Sequence, residues 1–490
     1  MIKMSQGKVY LIGAGPGDEE LLTLKAIRKL KECNLVMYDR LAGSQILNYI
    51  NEDCKVYYCG KQPNCHYKTQ DEINDMLVKF AKEGYTVGRI KGGDPYIFGR
   101  GGEEVLSLSK ENIDFEVIPG ITSFISVLNY AGIPVTHRNI AQGFHVFTGK
   151  AAKNLNINWK SAATIGGTLV FLMGFSSLNT IANKLIENGM DKNTPSAVVM
   201  RGTTSKQRKV ISTLENIYEE CKNAGLSSPC IFVIGEVVKF NNVFNWYEKK
   251  PLFGKNVCIT RSKNQSKSMR EKLIELGAQV TEIHSIKIKY TSENILKYID
   301  KLPNYDYIVF TSVNGVESFF NRLLNENYDI RNIKAKFAVI GPATYDAVKK
   351  RGIIPCIVAS KFVAESLYSE MKKFIHKGNK ILVPRSKNSR PYLVEKLRES
   401  GCIVDECYTY ETLCGDINEA VNFDDVDIVV FTSPTTVRNM VSIVGIDKIQ
   451  KKSAIAIGPI TGKELDKYNI KYKMSDTYTT DGIINKMLEK

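Results

Sequence analysis

The stretch KGGDPYIFGRGGEE, from Lys91 to Glu104, places five glycines among fourteen residues, together with one Asp, one Arg and two Glu. Glycine costs backbone entropy on folding, so this density indicates that another group approaches the bare backbone closely. The β-rich run YTVGRI directly precedes it. The sequence therefore predicts a loop at the end of a strand, with charged side chains beside a close backbone contact.

Similar strand-and-loop units fill the first half of the chain. KVYLIGAGPG, NLVMYDRL, DFEVIPGITS, GTLVFLMGF, PSAVVMRGTT and PCIFVIGEVV are β-rich runs ending in loops, and helical spacing follows the first of them. Alternating elements of this kind predict an α/β architecture. The segment FNWYEKKPLFGK breaks the pattern with charge, Pro and Gly. It indicates an exposed linker over 246–255, between domains at 1–245 and 256–490.

The second half repeats itself. Three blocks that begin at residues 256, 305 and 337 recur, in the same order, at residues 380, 426 and 454. This duplication predicts two similar α/β lobes. Open α/β sheets bind ligands at the carboxyl ends of their strands, so two facing lobes would form a cleft. Helix N-termini and hydroxyl groups at that cleft would favour carboxylates.

Composition limits the class of protein. The chain has 490 residues, of which 43% are hydrophobic and 24% charged, as expected for a globular protein of about two to four domains. No apolar run could span a bilayer and no signal peptide is recognisable, so we expect a cytoplasmic protein. The net charge of +15 favours an anionic partner. Without a nucleic-acid-binding motif, a small polyanionic metabolite fits at least as well as nucleic acid.

The cysteines predict no metal site. The eleven Cys residues include no C-x-x-C pair, and their tightest group is Cys54, Cys59 and Cys65, with His66 beside the last. This spacing matches no common zinc pattern, so reduced structural thiols are the preferred interpretation.

The run VYLIGAGPGD at the first strand resembles a dinucleotide fingerprint. Gly13, Gly15 and Gly17 form G-x-G-x-G, but Asp18 stands where the third glycine of that fingerprint belongs. Pro16 also lacks the N–H that a pyrophosphate would accept from. These two departures argue against a nicotinamide-dependent oxidoreductase, which is kept as the alternative interpretation. A tight turn that binds no ligand is another alternative.

The ordered motifs point to a family. VYLIGAGPGDEELLTLKA, VMYDRL, GRIKGGDPYIFGRGGEE, VIPGITSFISVLNYAGIPVTHR, TLVFLMG, RGTTSKQR and IFVIGEVV together resemble the uroporphyrinogen-III C-methyltransferases, within the tetrapyrrole methylases. From about Lys255 onward, the duplicated blocks, FTSVNGV and YTYET resemble uroporphyrinogen-III synthases. These resemblances imply a two-lobed tetrapyrrole methylase fold followed by a two-lobed α/β synthase fold. They also imply that the second half makes the substrate of the first.

The first resemblance implies that S-adenosyl-L-methionine binds in a cleft between lobes at about 1–118 and 119–245. Gly92 and Gly93 would let the backbone approach the methionine and ribose portions, and Asp94 offers an acceptor for a ribose hydroxyl or the amino group. The other implied cofactor residues are Pro16, Ile97, Thr122, Ser123, Met173 and Gly202.

The same resemblance implies roles in tetrapyrrole chemistry. Asp39 is the implied proton acceptor and Lys61 the implied proton donor. Arg100 and Arg138 can bind substrate carboxylates bidentately, while Glu103 would orient an Arg or contact a pyrrole N–H. For each of these side chains, an ordinary surface ion pair is the alternative. Two methylations of uroporphyrinogen III would give precorrin-2, for sirohaem or cobalamin synthesis, and a homodimer through the first half is implied by the family.

The second resemblance implies closure of hydroxymethylbilane to uroporphyrinogen III. Tyr410 matches the tyrosine that assists loss of hydroxide, and an ordinary strand tyrosine is its alternative. The candidate carboxylate contacts of this half are Thr311, Ser312, Asn314, Tyr345, Thr432 and Ser433. The competing class for the whole chain is a basic, non-catalytic nucleic-acid-binding protein.

Overall fold

The computed structural model describes residues 7–39, 43, 45–51, 53–60, 68–149, 157–261, 263–361, 363–415 and 421–489, with the backbone alone at 263–265. These residues form four sheets, of which three have five strands and one has six. Two sheets belong to the first half of the chain and two to the second. The predicted α/β architecture is confirmed.

The first sheet contains five parallel strands in the order β3–β2–β4–β1–β5. Its strands are β1 (Lys8–Gly13), β2 (Leu35–Tyr38), β3 (Lys55–Tyr58), β4 (Thr86–Lys91) and β5 (Phe115–Ile118). Its helices are α1 (Leu24–Leu30), α2 (Gln70–Lys82) and α3 (Gly101–Lys110). Strands β1 and β2 are buried on both faces, which explains their nearly continuous apolar sequences. Strand β4 is equally buried but carries Arg89 and Lys91.

The second sheet is mostly antiparallel, in the order β6–β7–β10–β8–β9, and only β6 and β7 pair in parallel. Its strands are β6 (Phe144–Thr148), β7 (Thr168–Leu172), β8 (Pro195–Met200), β9 (Arg208–Thr213) and β10 (Cys230–Ile234). The helices are α4 (Ser123–Tyr130), α5 (Trp159–Thr164), α6 (Leu178–Glu187), α7 (Ile217–Asn223) and α8 (Asn241–Phe244). Helix α4 begins after β5 but packs into the core of the second sheet, so it joins the two units.

The second half builds a third and a fourth sheet. The third has five parallel strands, which are β11 (Asn256–Ile259), β12 (Gln279–Glu282), β19 (Ile428–Phe431), β20 (Ser453–Ala456) and β21 (Tyr472–Met474). The fourth has six, which are β13 (Ile286–Tyr290), β14 (Tyr307–Phe310), β15 (Lys336–Val339), β16 (Ile357–Val358), β17 (Lys380–Ser386) and β18 (Ile403–Cys414). The helices are α9 (Lys263–Glu275), α10 (Val313–Asn325), α11 (Pro342–Lys349), α12 (Ala364–Met371), α13 (Tyr392–Glu399), α14 (Pro434–Val444), α15 (Ile446–Gln450), α16 (Pro459–Asp466) and α17 (Thr480–Leu488).

The repeated blocks exchange partners between these two lobes. Strand β11, from the first copy of the repeat, pairs with β19 from the second copy. Strand β17, from the second copy, pairs with β14 from the first. The third sheet has the order β12–β11–β19–β20–β21, and the fourth has β13–β18–β17–β14–β15–β16. The last five strands of the fourth sheet correspond one by one to the strands of the third. The two similar lobes are therefore present, but each lobe combines blocks from both copies.

The segment at 246–255, expected as an exposed linker, buries two of its apolar side chains, whereas Trp246 is 45% exposed. Tyr247 is 6% exposed and Leu252 is 3% exposed. The Tyr247 ring lies 4.6 Å from that of Tyr130 in the first half, while Leu252 N donates to Leu276 O in the second at 2.9 Å. The charged residues and Pro of this segment mark a break between two sets of strands and helices. Burial of Tyr247 and Leu252 depends on residues of the two neighbouring halves, which the local sequence does not reveal.

Two negative findings apply to the described part of the chain. None of its helices combines the length and the apolar character that crossing a bilayer requires. It also holds no group of three or more His, Cys, Asp or Glu side chains suited to a metal ion. Cys54 and Cys59 are buried free thiols, whereas Cys65 and His66 lie outside the described residues.

Candidate active sites

Three glycine-containing loops meet at the carboxyl edge of the first sheet. Gly93 N donates to Gly15 O at 2.7 Å, and Gly15 N donates to Gly93 O at 3.2 Å. Gly120 N donates to the Asp94 carboxylate at 3.1 Å. A Cβ built on Gly120 would lie only 2.2 Å from Gly93 O. Part of the glycine content of the opening stretch therefore serves contact between backbones.

A fourth loop, which follows β8 in the second sheet, contacts α4 and the first of these loops. A Cβ on Gly202 would lie 2.3 Å from Val127 Cγ1, so glycine lets this loop rest on α4. A Cβ on Gly17 would lie 3.1 Å from Thr204 Cγ2. The structure thus brings together the loops that carry Pro16, Gly92, Gly93, Asp94, Thr122, Ser123 and Gly202.

Strained backbone is concentrated in these loops and at the end of β7. A positive φ costs on the order of 1–3 kcal/mol for most residues and is retained where the surroundings enforce it. Outside the described glycines it occurs at three Asn residues, which tolerate it, and at five others. Those five are Phe98 (52°), Arg100 (59°), Met173 (55°), Arg201 (46°) and Thr203 (66°). Their grouping indicates a functional constraint.

Asp39 lies at the edge of this region, beside a buried charge network that sequence reasoning missed. Its carboxylate lies 3.6 Å from Arg89 Nη2. Glu104, which is fully buried, accepts from Arg89 Nε at 3.1 Å and from Lys91 Nζ at 2.7 Å. Burial lowers the pKa of Lys91. Two cations at alternating positions of a buried strand were the signal that could have revealed the network.

The side chains expected to face the tetrapyrrole are more exposed. Arg100 and Glu103 form a bidentate ion pair at 2.8 and 2.6 Å, with side chains 56% and 50% exposed. This pairing agrees with Glu103 orienting an Arg, and it equally matches the surface-pair alternative. Arg138 is exposed in the loop after α4. Lys61 lies outside the described residues.

In the second half, Tyr410 and Ser312 are in contact. The Tyr410 hydroxyl lies 2.7 Å from Ser312 Oγ, and the tyrosine is only 6% exposed. Ser312 also caps α10 by accepting from Gly315 N at 3.2 Å. Burial raises the pKa of Tyr410 above its usual range, although the Ser312 hydrogen bond opposes this. A tyrosine is protonated at neutral pH even without this shift, and the raised pKa makes the phenol a weaker acid, so its position beside Ser312 is what marks it as a candidate donor.

An irregularity in strand pairing aims Tyr410 inward. The register between β17 and β18 shifts between Arg385 and Ser386, which align with Tyr408 and Tyr410. Such bulges reorient side chains, and Tyr408 is accordingly 41% exposed although it lies only two residues away. Arg385 is 3% exposed, and its positive charge lowers the pKa of Tyr410, against the effect of burial. Sequence reasoning missed Arg385, whose position in both copies of the R-S-K-N repeat was an available signal.

The remaining candidates of the second half divide between its two sheets. Thr311 and Asn314 follow β14 in the fourth sheet, where the Tyr345 ring packs against the hydrophobic core. Thr432 and Ser433 follow β19 in the third sheet. Ser433 caps α14 as Ser312 caps α10, so the two serines occupy equivalent strand ends of the two lobes.

Comparison with known proteins assigns both halves. Residues 8–218 match the tetrapyrrole (corrin/porphyrin) methylases, and residues 267–485 match uroporphyrinogen-III synthase HemD. The porphyrin biosynthesis protein HemD of Ruminiclostridium josui is 34% identical, covering 99% of this chain and 98% of its own. The chain belongs to the uroporphyrinogen-III C-methyltransferases that carry a HemD synthase domain.

Two further proteins resemble the methyltransferase half, and the alignment with the first of them extends beyond that half. A uroporphyrinogen-III C-methyltransferase of Bacillus subtilis strain 168 is 39% identical, covering 72% of this chain and 73% of its own. A crystal structure of uroporphyrin-III C-methyl transferase from Thermus thermophilus, complexed with S-adenyl homocysteine, is 41% identical. The match covers 48% of the present chain and 99% of the Thermus thermophilus chain, with a TM-score of 0.42.

Family membership confirms the predicted enzyme class of both halves and their place in tetrapyrrole biosynthesis. S-adenosyl-L-methionine, the predicted cofactor, is the methyl donor of the methyltransferase family. The nicotinamide alternative for the first glycine loop is thereby set aside.

The residues at the four loops fit such a donor. Gly93 has φ of +68°, and a Cβ built there would meet nothing closer than 3.8 Å, so space remains above its backbone. Asp94 accepts from Tyr96 N at 2.8 Å through one oxygen and from Gly120 through the other, which leaves lone pairs for a ligand. Ile97 and Met173 are 42% and 45% exposed, so both side chains are accessible to a ligand.

Proposed function

We propose that the synthase half closes hydroxymethylbilane to uroporphyrinogen III and that the methyltransferase half methylates this product twice, giving precorrin-2. The observation that carries the proposal is the contact of three glycine loops at the carboxyl edge of the first sheet, with the loop after β8 resting on α4 and on Gly17. Asp39 follows β2 at the same edge, next to β4. Sirohaem or cobalamin synthesis would consume the product.

S-adenosyl-L-methionine supplies an already activated sulfonium methyl group, so the chain has mainly to bind and align. Gly92 and Gly93 admit the ligand to the backbone, Asp94 accepts from a hydroxyl or amino group, and Ile97 and Met173 provide apolar walls. The remaining contacts in this proposal are Pro16, Thr122, Ser123 and Gly202. Alignment of two reactants in one cleft can contribute roughly 7–11 kcal/mol to lowering the barrier.

The tetrapyrrole side of the site handles carboxylates and one proton for each methylation. Uroporphyrinogen III carries eight carboxylates, and in this proposal Arg100 and Arg138 each bind one of them bidentately. Glu103 holds the Arg100 guanidinium in orientation. Asp39 accepts the proton that the ring loses after methylation, and Lys61 acts as proton donor.

In the synthase half, Tyr410 donates a proton to the departing hydroxyl of hydroxymethylbilane. Ser312 orients the phenol through the 2.7 Å contact. Thr311, Asn314 and Tyr345 on one lobe, and Thr432 and Ser433 on the other, contact the substrate carboxylates. Binding from both lobes would hold the open chain curved, with its ends close enough to join.

We further propose a homodimer through the methyltransferase half, with no nucleic-acid or membrane partner. This half exposes several large apolar side chains around α4, β6 and α8, which a second copy would cover. They are Ile125 (50%), Ile140 (44%), Phe144 (42%), Val243 (73%) and Phe244 (42%).

A coupled assay tests the proposed function. Purified protein incubated anaerobically with fresh hydroxymethylbilane and S-adenosyl-L-methionine should produce a tetrapyrrole carrying two added methyl groups, detected by absorbance and mass spectrometry. Omitting the methyl donor should leave uroporphyrinogen III. If no methylated tetrapyrrole forms while the protein binds DNA in a salt-sensitive manner, the nucleic-acid-binding alternative is correct instead.

Asp94→Ala should weaken binding of the methyl donor by about 10- to 100-fold. The substitution removes the carboxylate that accepts a charge-assisted hydrogen bond from the ligand. Titration calorimetry with S-adenosylhomocysteine measures the effect. Asp191→Ala is a matched control, since Asp191 also accepts from a turn amide, Asn193 N, at 2.9 Å. Equal affinities in the wild type and Asp94→Ala would remove Asp94 from the site.

A further inference from the structure

The two halves are joined by a partly buried ion pair next to the first glycine loop. Arg270, on α9 of the synthase half, contacts Glu19 through Nε at 2.8 Å and Nη2 at 2.7 Å. Arg270 Nη2 also donates to Tyr49 Oη at 3.0 Å. The side chains of Arg270 and Glu19 are 17% and 7% exposed. Arg270 Nε also lies 3.8 Å from the Glu282 carboxylate, which is 8% exposed. Loss of Arg270 would therefore remove the cation that contacts two carboxylates in a poorly solvated place.

A second set of contacts joins the synthase half to the loop after β8. Gln279 Oε1, at the start of β12, accepts from Ser205 N at 3.1 Å and from Ser205 Oγ at 2.8 Å. Lys206 forms an ion pair with Asp425. Ser205 and Lys206 follow directly on the segment that contains Gly202.

The two loops held in this way also support each other. Asp18, the neighbour of Glu19, accepts from Tyr130 Oη at 2.7 Å. Gly17 has φ of +139° and lies against Thr203 and Thr204. A Cβ atom placed on Gly17 would lie 3.1 Å from Thr204 Cγ2. Thr203 itself has φ of +66°. Strained loops of this kind keep one conformation only when their surroundings enforce it.

We propose that the third-sheet lobe of the synthase half positions the methyl-donor loops of the methyltransferase, with Arg270 and Gln279 as the positioning residues. This inference rests on the proposed function, since it assumes that the loops of Pro16 and Gly202 bind S-adenosyl-L-methionine. Neither positioning residue touches the ligand. Each holds a loop whose geometry sets the ligand affinity, so the synthase half contributes to methyl-donor binding.

The test uses the full chain and S-adenosylhomocysteine as the probe. Arg270→Ala should weaken probe binding about five- to tenfold, and Gln279→Ala should have a smaller effect in the same direction. Arg270→Lys should bind with intermediate affinity, because an ammonium keeps the charge but not the bidentate geometry. In turnover, KM for the methyl donor should rise, while KM for uroporphyrinogen III and the synthase rate stay unchanged.

Arg331→Ala is the matched control, because Arg331 forms a bidentate ion pair with Asp329 inside the synthase half and is 88% exposed. It should leave probe binding unchanged. Wild-type affinity in both Arg270→Ala and Gln279→Ala would overturn the inference. If circular dichroism shows that Arg270→Ala does not fold, the probe affinities of Arg270→Lys and Gln279→Ala test the inference instead. Wild-type affinity in both of these variants would then overturn it. A wild-type chain that fails to bind the probe would overturn the proposed cofactor site, and this inference with it.

Discussion

Asp39→Asn is expected to slow methyl transfer by at least about 100-fold while methyl-donor affinity stays near that of the wild type. A positioned general base contributes roughly 10²–10⁴-fold to a rate, and Asn cannot accept the proton released by the methylated ring. Asn is nearly isosteric with Asp, so it should keep the packing at the end of β2. Single-turnover methylation of uroporphyrinogen III measures the rate, and calorimetry with S-adenosylhomocysteine measures the affinity.

The surroundings of Asp39 make this substitution informative. Its carboxylate is 31% exposed, so substrate can reach it, and Arg89 contacts it from the buried side at 3.6 Å. Asp75→Asn is a suitable control, because Asp75 lies exposed on α2 of the same half. A wild-type rate in Asp39→Asn would assign proton removal to another group and leave Asp39 as a structural partner of Arg89.

Tyr410→Phe is expected to slow enzymatic ring closure by about 100-fold, within the range for loss of a general acid. Unreacted hydroxymethylbilane then cyclises spontaneously, so the share of the unrearranged isomer should rise. The reason is the loss of one buried hydroxyl that lies 2.7 Å from Ser312 Oγ and is the proposed proton donor. Chromatographic separation of the two isomers measures both the rate and the ratio.

Tyr408→Phe is the natural control for this experiment. Tyr408 belongs to the same strand but is 41% exposed, and its hydroxyl makes only a long contact of 3.4 Å to Glu406. It should leave the isomer ratio unchanged. If Tyr410→Phe gives the same ratio and rate as Tyr408→Phe, then Tyr410 is a strand residue whose contact with Ser312 serves packing.

Much of the fold could be predicted from local patterns. Apolar runs such as the one in β1 are typical of strands buried on both faces, and the Gly-rich segment after it predicted a loop. The three duplicated blocks predicted two similar lobes. The candidate cofactor loops were predicted as well, because their motifs are contiguous in the chain and each motif occupies one strand end.

The tertiary structure alone decided which distant segments meet. Pairing of β11 with β19 and of β17 with β14 exchanges the repeated blocks between lobes, and the copies are too alike to favour either arrangement locally. The contact of Arg270 with Glu19 spans the two halves in the same way. Hydrophobic periodicity and turn residues act over a few positions, so they determine helices, strands and loops. Partners far apart in sequence are selected only by the packing of the whole chain, which is why these contacts could not be predicted.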